Sequence, residues 1–177
     1  MQPTIRRFFI ASVWLAAGLL AGCGMFATTG PEPVAAPAPA YDQVAAIRAA
    51  GEREQSIIDV TPLRDPGVAS LQDAARLDEQ AGRYADAAAK LDQALKLGPD
   101  APELLQERAE MAIRLGDFPG AERLAHRSWS LGPKFGPLCA RNWQTIVEIR
   151  LQAGDQAGAE TARKWVGQCH KPGVPRY

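Results

Sequence analysis

Gly82-Arg83-Tyr84-Ala85-Asp86-Ala87, with Ala94-Leu95-Lys96-Leu97-Gly98-Pro99 after it, returns 34 residues later as Gly116-Asp117-Phe118-Pro119-Gly120-Ala121 and Ser128-Trp129-Ser130-Leu131-Gly132-Pro133. A weaker third copy places Gly154-Asp155-Gln156-Ala157-Gly158-Ala159 and Val166 in the same slots, after four extra residues that fall in Lys134-Phe135-Gly136-Pro137. A fixed period of this size marks stacked units, none of which buries its apolar face alone. Each unit reads as two helices joined at Gly82, Gly116 or Gly154, where glycine enters the left-handed region at least cost. Asp65-Pro66 and Asp100-Ala101-Pro102 supply start signals. Ala87, Ala121 and Ala159 are small enough to let the two helices approach closely. Tyr84 and Phe118 put a ring at the turn, and Leu97 and Leu131 close the second helix.

From Pro66 to about Cys169 the pattern resembles the tetratricopeptide repeat. The resemblance implies an all-α fold, a short α-solenoid of about three helical hairpins near 66–99, 100–133 and 137–169. It also implies that the first helices line a concave face that grips a peptide or partner helix. That face would carry Gln72, Arg76, Gln80, Gln106, Glu110, Arg114, Arg141, Gln144 and Glu148, a polar set of both signs. The carboxylate clamp by which some members of the family hold chaperone tails is not matched, since Gln72 and Glu107 stand where a lysine and an asparagine belong. The third copy departs further. It has Gln156 in place of the ring and no terminal proline, while Trp143 takes the large-aromatic position of its first helix.

Upstream, Leu20-Ala21-Gly22-Cys23 resembles the lipobox of bacterial lipoproteins. Arg6 and Arg7 form a positive n-region, and Phe8 to Leu20 an uncharged apolar run too short to span a bilayer, which needs about 20 residues. An ordinary signal peptide is the alternative. The resemblance implies cleavage of residues 1–22 and covalent diacylglycerol and fatty acyl on Cys23, with no other cofactor. Arg6-Arg7 before Phe8-Phe9-Ile10 partly resembles a twin-arginine export signal, but Ile5 replaces the usual Ser or Thr, which leaves general secretion as the default. Gly24 is not the aspartate that commonly marks inner-membrane retention, so in a Gram-negative host the periplasmic face of the outer membrane is the expected address. Residues 24–40, with Pro31, Pro33, Pro37 and Pro39 and one charge at Glu32, read as a disordered tether. At about 3.1 Å per residue it extends up to about 50 Å; a loop packed on the domain is the alternative.

Lipid on Cys23 leaves Cys139 and Cys169 as a pair in an oxidising compartment, where a disulfide is the leading reading. Cys139 opens the first helix of the third hairpin and Cys169 closes the second, ends that neighbour each other in an antiparallel pair. Between tether and repeats, residues 41–65 form a lead-in. Asp42 is a candidate N-cap, Val44, Ala45, Ile47, Arg48 and the later Ile57 and Ile58 suggest a short helix interrupted near Gly51, and the segment is expected to pack on the first repeat. Thr61-Pro62 is extended. Residues 170–177 are a short tail.

With Arg6 and Arg7 removed, 18 basic residues face 20 acidic ones. Near-neutral charge gives no electrostatic reason to expect nucleic acid. No nucleophile, base and carboxylate can be assembled around His126 or His170. Cys139, Cys169 and His170 lack a fourth zinc ligand, and no glycine-rich loop follows a strand. The pairs Glu107 with Glu110 and Asp73 with Arg76 read as solvated helix charges. No catalytic or metal site is therefore expected. The function implied is a non-enzymatic, lipid-anchored envelope scaffold or assembly factor that binds a protein or peptide. Trp129, Trp143 and Trp165 keep open a module for glycan or peptidoglycan fragments, if they line a pocket and do not fill a core. An accessory role in cell-wall metabolism is a further alternative.

Overall fold

Asp65 starts the repeat array as a cap: its carboxylate accepts from the Gly67 N–H at 2.8 Å and the Val68 N–H at 3.3 Å. Pro66 then fills the first turn, where no N–H is required. The computed structural model describes residues 40–54 and 65–170. Seven helices follow in order: α1 (Gln43–Arg53), α2 (Pro66–Gln80), α3 (Tyr84–Leu97), α4 (Pro102–Arg114), α5 (Phe118–Leu131), α6 (Pro137–Gln152) and α7 (Gln156–Gln168). There is no strand among the described residues. The fold is an all-α array of three hairpins, α2–α3, α4–α5 and α6–α7, stacked in chain order. Cys23, the signal peptide, the tether up to Pro39, residues 55–64 of the lead-in and the tail after His170 lie outside the described residues.

The three turns are built alike. Gly82, Gly116 and Gly154 have φ of 73°, 78° and 74°, and a Cβ on any of them would meet nothing within 4 Å. Their glycine is thus required by backbone conformation and not by space. In each turn the residue after the glycine donates back to a carbonyl five residues earlier, as in Arg83 to Asp78 at 2.8 Å, Asp117 to Ala112 at 2.9 Å and Asp155 to Arg150 at 2.8 Å. This bond satisfies a carbonyl that the helix end leaves free. Asp117 and Asp155 then cap the second helices by accepting from Gly120 and Gly158. Asp100 does not repeat the role of Asp65. Ala101 is the N-cap of α4 without a side-chain bond, and Asp100, one residue too early, pairs with Arg127.

Ala87, Ala121 and Ala159 are fully buried between the helices of their hairpins. One core cluster joins Val68, Ala75, Leu91 and Ala94 of the first hairpin to Leu104 and Met111 of α4. A second joins Ala109, Ile113, Ala121, Ala125, Ile146, Val147 and Ala162 across the second and third hairpins. Val44 and Ile47 of α1 are buried in that second cluster.

Two expectations about the lead-in are corrected here. α1 runs through Gly51 without interruption, because Gly51 is pressed against Arg141 and Pro137, where a Cβ would lie 2.8 Å from Arg141 Cγ. And α1 packs mainly on α6 and α4, since its apolar residues point into the second cluster, and touches the first hairpin through Arg48 on Glu79. Asp42 does cap it, accepting from Ala45 N–H at 2.9 Å.

Cys139 and Cys169 are joined by a disulfide with Cα atoms 5.6 Å apart, tying the start of α6 to the end of α7. Ala50 and Ala140 are buried beside it, and Trp129, Trp143 and Val166 pack around it. Closing a loop of 30 residues contributes about 3–4 kcal/mol in the chain-entropy account. Reducing the bond should therefore lower the melting temperature of the purified domain by more than about 10 °C; an unchanged melting curve in reductant would show that packing alone closes the hairpin.

At the first turn, hydrogen bonds from Lys90 and Arg83 hold the Asp78 carboxyl below the usual carboxylate range. A depressed folded-state value stabilises above the unfolded value, about 4, and the benefit is lost as pH falls through the folded one. Asp78→Asn should lower the urea midpoint at pH 7, and its gap to the wild type should close as pH drops below about 4. A gap independent of pH would mean that the effect is steric.

Candidate partner-binding face

The first helices of the hairpins, α2, α4 and α6, carry the nine residues assigned to the concave face at intervals of three or four, so each set lies along one stripe. The structure divides these stripes into a covered half and an open half. α1 lies over the stripes of α4 and α6 and contributes side chains that sequence reasoning did not count.

Glu110 stands at the centre of the covered half, with its side chain fully buried. Arg48 of α1 donates through Nε to Glu110 Oε2 at 2.8 Å and through Nη2 to the Glu79 carboxylate at 2.9 Å. Arg141 of α6 donates to Glu110 Oε1 at 3.0 Å through Nε and 2.5 Å through Nη2. Gln106 Nε2 donates to Glu110 Oε1 at 3.1 Å and to Thr145 Oγ1 at 2.9 Å. The reading of Glu107 and Glu110 as solvated charges is thus overturned for Glu110, which a guanidinium from each of two other helices encloses. Desolvation works to lower the Arg48 pKa, but the Glu110 and Glu79 carboxylates outweigh it and hold it above its ordinary value.

Around this centre, Arg114 Nη2 donates to Asp42 Oδ2 at 2.9 Å, and its guanidinium carbon lies 5.5 Å from the centroid of the Tyr84 ring. Desolvation pushes Asp42 up, yet the bonds from Ala45 N–H and Arg114 prevail and lower it. Glu148, also buried, accepts from Tyr41 at 2.8 Å and from Gln144 at 2.7 Å. Desolvation and then the Glu148 carboxylate push the Tyr41 hydroxyl up to about 12. Gln106, Glu110 and Glu148 are thus held in internal bonds beneath α1, and Arg114, Arg141 and Gln144 are half-buried at its edges. Tyr41, Asp42 and Arg48 are the site residues that the sequence reading left out. Their only local signal was the short helical pattern of the lead-in.

The open half lies between α1, α2 and α4 as a cleft of about 520 Å³, lined by Arg48, Arg76, Glu79, Tyr84, Glu107 and Arg114 among others. Arg76 and Gln80 face solvent there. Gln72 is buried and donates to Glu107 at 3.1 Å, so the two positions that failed to match a carboxylate clamp bond to each other. The carboxylates sit lower than the arginines: Glu79 is 16% and Glu107 20% exposed, against 40% for Arg48 and 49% for Arg76. At these two pairs a ligand meets guanidinium edges before carboxylates, whereas Glu52 lines the cleft as an exposed carboxylate.

Trp129, Trp143 and Trp165 assemble away from this face. Trp143 and Trp165 stack at 5.1 Å with planes 12° apart, and Trp129 meets them edge-on at 5.4 and 6.4 Å. The cluster covers the disulfide, and Trp165 remains 41% exposed. His126 is half-exposed beside Glu122, and His170 pairs with Glu54 at 2.9 Å. Neither is near a nucleophile among the described contacts. No group of three metal-ligating side chains occurs among the described residues.

Glu110→Ala should cost about 2–4 kcal/mol of unfolding free energy in urea titration, since it strands two guanidiniums, though both keep some access to water. Glu107→Gln, on a carboxylate that water reaches, should cost less than about 1 kcal/mol. Equal costs for the two would show that Glu110 does not organise the face.

A family model described as tetratricopeptide repeat matches residues 79–141, from the end of α2 into α6. No curated protein matches the chain. Among solved structures, the globular C-terminal domain of P. aeruginosa LpoP is similar, with 30% identity and a TM-score of 0.56. That alignment covers 59% of this chain and 99% of the LpoP domain. On the shared repeat, the common fold and this near-complete coverage, the chain belongs to the tetratricopeptide-repeat family, in company with the C-terminal domain of LpoP.

Proposed function

We propose that this chain is a lipid-anchored scaffold or assembly factor of the bacterial envelope, without catalytic activity, which holds a protein or peptide partner on the concave face of its repeats. The observation that carries the reading is the open cleft between α1, α2 and α4, where Gln80 faces solvent and the guanidiniums of Arg48 and Arg76 stay 40% and 49% exposed beside the carboxylates they pair with. Arginine offers five N–H groups in a planar fork, and ion pairs on one side leave others for a ligand.

The lipobox resemblance at Leu20-Ala21-Gly22-Cys23 supports anchoring through acyl chains on Cys23, and Gly24 supports the periplasmic face of the outer membrane. No described helix is long and apolar enough to cross a membrane. Read as a tether, the proline-rich segment after Cys23 would give the domain a reach of up to about 50 Å from the membrane. Among envelope machines we favour the peptidoglycan synthesis apparatus, whose product lies within that reach.

A second reading, a glycan-binding module, has one observation in its favour, the half-exposed Trp165 on its stacked neighbour. Sugar rings pack on such aromatic faces, but the cluster also covers the disulfide and thereby has a structural task.

Photo-crosslinkers placed at Gln80 and Arg76 in cells should capture a discrete envelope protein, while one at Leu97, exposed outside the concave stripes, should not. Cys23→Ala should release the folded domain from the membrane fraction and abolish the capture. Recovery of no protein from either concave position, together with tryptophan quenching by peptidoglycan fragments, would replace the scaffold with the glycan reading.

A further inference from the structure

α1 is built as a ligand of the array that carries it. It has only 11 residues, and isolated helices below about 12–15 residues are marginal in water, so its helicity depends on what it sits on. Its seat is the α4–α6 face, the stripes that the array would offer to a partner. The contact uses Val44 and Ile47 one turn apart, the small Ala50 and Gly51 in the next turn, and Arg48 reaching Glu110.

Val44 and Ile47 sit in an apolar cluster, but polar side chains are also buried on the α4–α6 face. Gln106, Glu110, Thr145 and Glu148 are buried there. Gln106 Oε1, Arg114 Nε and Glu148 Oε2 find no hydrogen-bond partner among the described residues. Asn142 and Trp143 Nε1 elsewhere on α6 are unpaired among the described residues as well, so what matters is what these three atoms offer: each would gain a hydrogen bond from a suitably placed partner atom. α1 fills its apolar seat but leaves this bonding capacity unused. On its departure Arg141 and Gln106 remain on Glu110, while Glu79 and Arg114 exchange Arg48 and Asp42 for water or for a partner's groups.

We propose that the α4–α6 face is a docking groove for a helix of a partner protein, and that α1 is a resident competitor held in it. The helix that fits repeats the α1 pattern: aliphatic residues at i and i+3, arginine at i+4, and small residues at i+6 and i+7. To displace α1 it adds a donor for Glu148 Oε2 or Gln106 Oε1, or an acceptor for Arg114 Nε. This deepens the protein-binding reading above and rests on it. A groove occupied by its own chain binds a partner more weakly by the fraction of molecules in which it is open, which confines tight capture to a partner helix that satisfies the unpaired groups.

The probe is a labelled peptide with the sequence of residues 41–54, added to the full chain. Ile47→Asp, which drives a charge into the apolar seat of α1, should bind the peptide about tenfold tighter than the wild-type chain. A peptide whose arginine at position 48 is replaced by alanine should lose about that factor. Amide exchange on the wild-type chain needs no variant: amides of residues 43–53 should exchange at least about tenfold faster than those of α4 and α6. Equal binding to both chains, binding to neither, or equal protection of α1 and its neighbours would make α1 a core element and overturn the proposal. A homodimer of the wild type that Ile47→Asp abolishes would assign the face to a second copy and also overturn it. The peptide assay uses neither membrane nor cell extract, so it fails or succeeds independently of the crosslinking in cells.

Discussion

A carboxylate with no access to water must be paired, and Glu110 meets that demand by drawing on two other helices. Its two oxygens divide between Arg48 of α1 and Arg141 of α6, so one buried charge in α4 determines where α1 lies and how α4 faces α6. Desolvation of an unpaired ion would cost several kcal/mol, more than most single contacts in the domain supply. The remaining charges fall into line behind it. Arg48 extends to Glu79 on α2, Arg114 takes Asp42 at the start of α1, and Glu148 takes Tyr41. The concave face thus carries several polar clusters, of which the one around Glu110 joins α1, α2, α4 and α6. α1 is oriented by that cluster as much as by Val44 and Ile47.

Against this, the frame of hairpins is assembled from local rules that repeat. A positive-φ glycine reverses the chain, the following residue bonds back across the helix end, and a buried alanine lets the second helix close. The third hairpin has lost the ring at its turn and the proline at its end, and it carries the disulfide in their place. Ala50 of α1, the tryptophan cluster and the Cys139–Cys169 bond share one small core there. In the third hairpin a covalent constraint and aromatic packing thus close the pair.

Function follows from which polar groups of this face remain within reach of a ligand. In the α2–α4 half the arginines stand above their carboxylates, whereas in the α4–α6 half the groups are enclosed beneath α1. A reading of the nine concave positions as equivalent surface residues therefore merges two different environments. Gln80 and Arg76 are available as they stand, while Gln106, Glu110 and Glu148 become available only when α1 moves.

By itself the sequence determined the helices, the turns and their order, because glycine conformation, aspartate caps, proline and the 34-residue spacing act within a few residues of where they are written. It was also enough to bring Cys139 and Cys169 to one end of one hairpin. The course of α1 through Gly51, its docking on α4 and α6, and the burial of Glu110 were decided only in the tertiary structure. Those features depend on pairs 31 to 107 residues apart, such as Arg141 with Glu110 and Tyr41 with Glu148. No local pattern distinguishes a glutamate that will be enclosed by two arginines from one that will face water, since the difference lies in what folds over it.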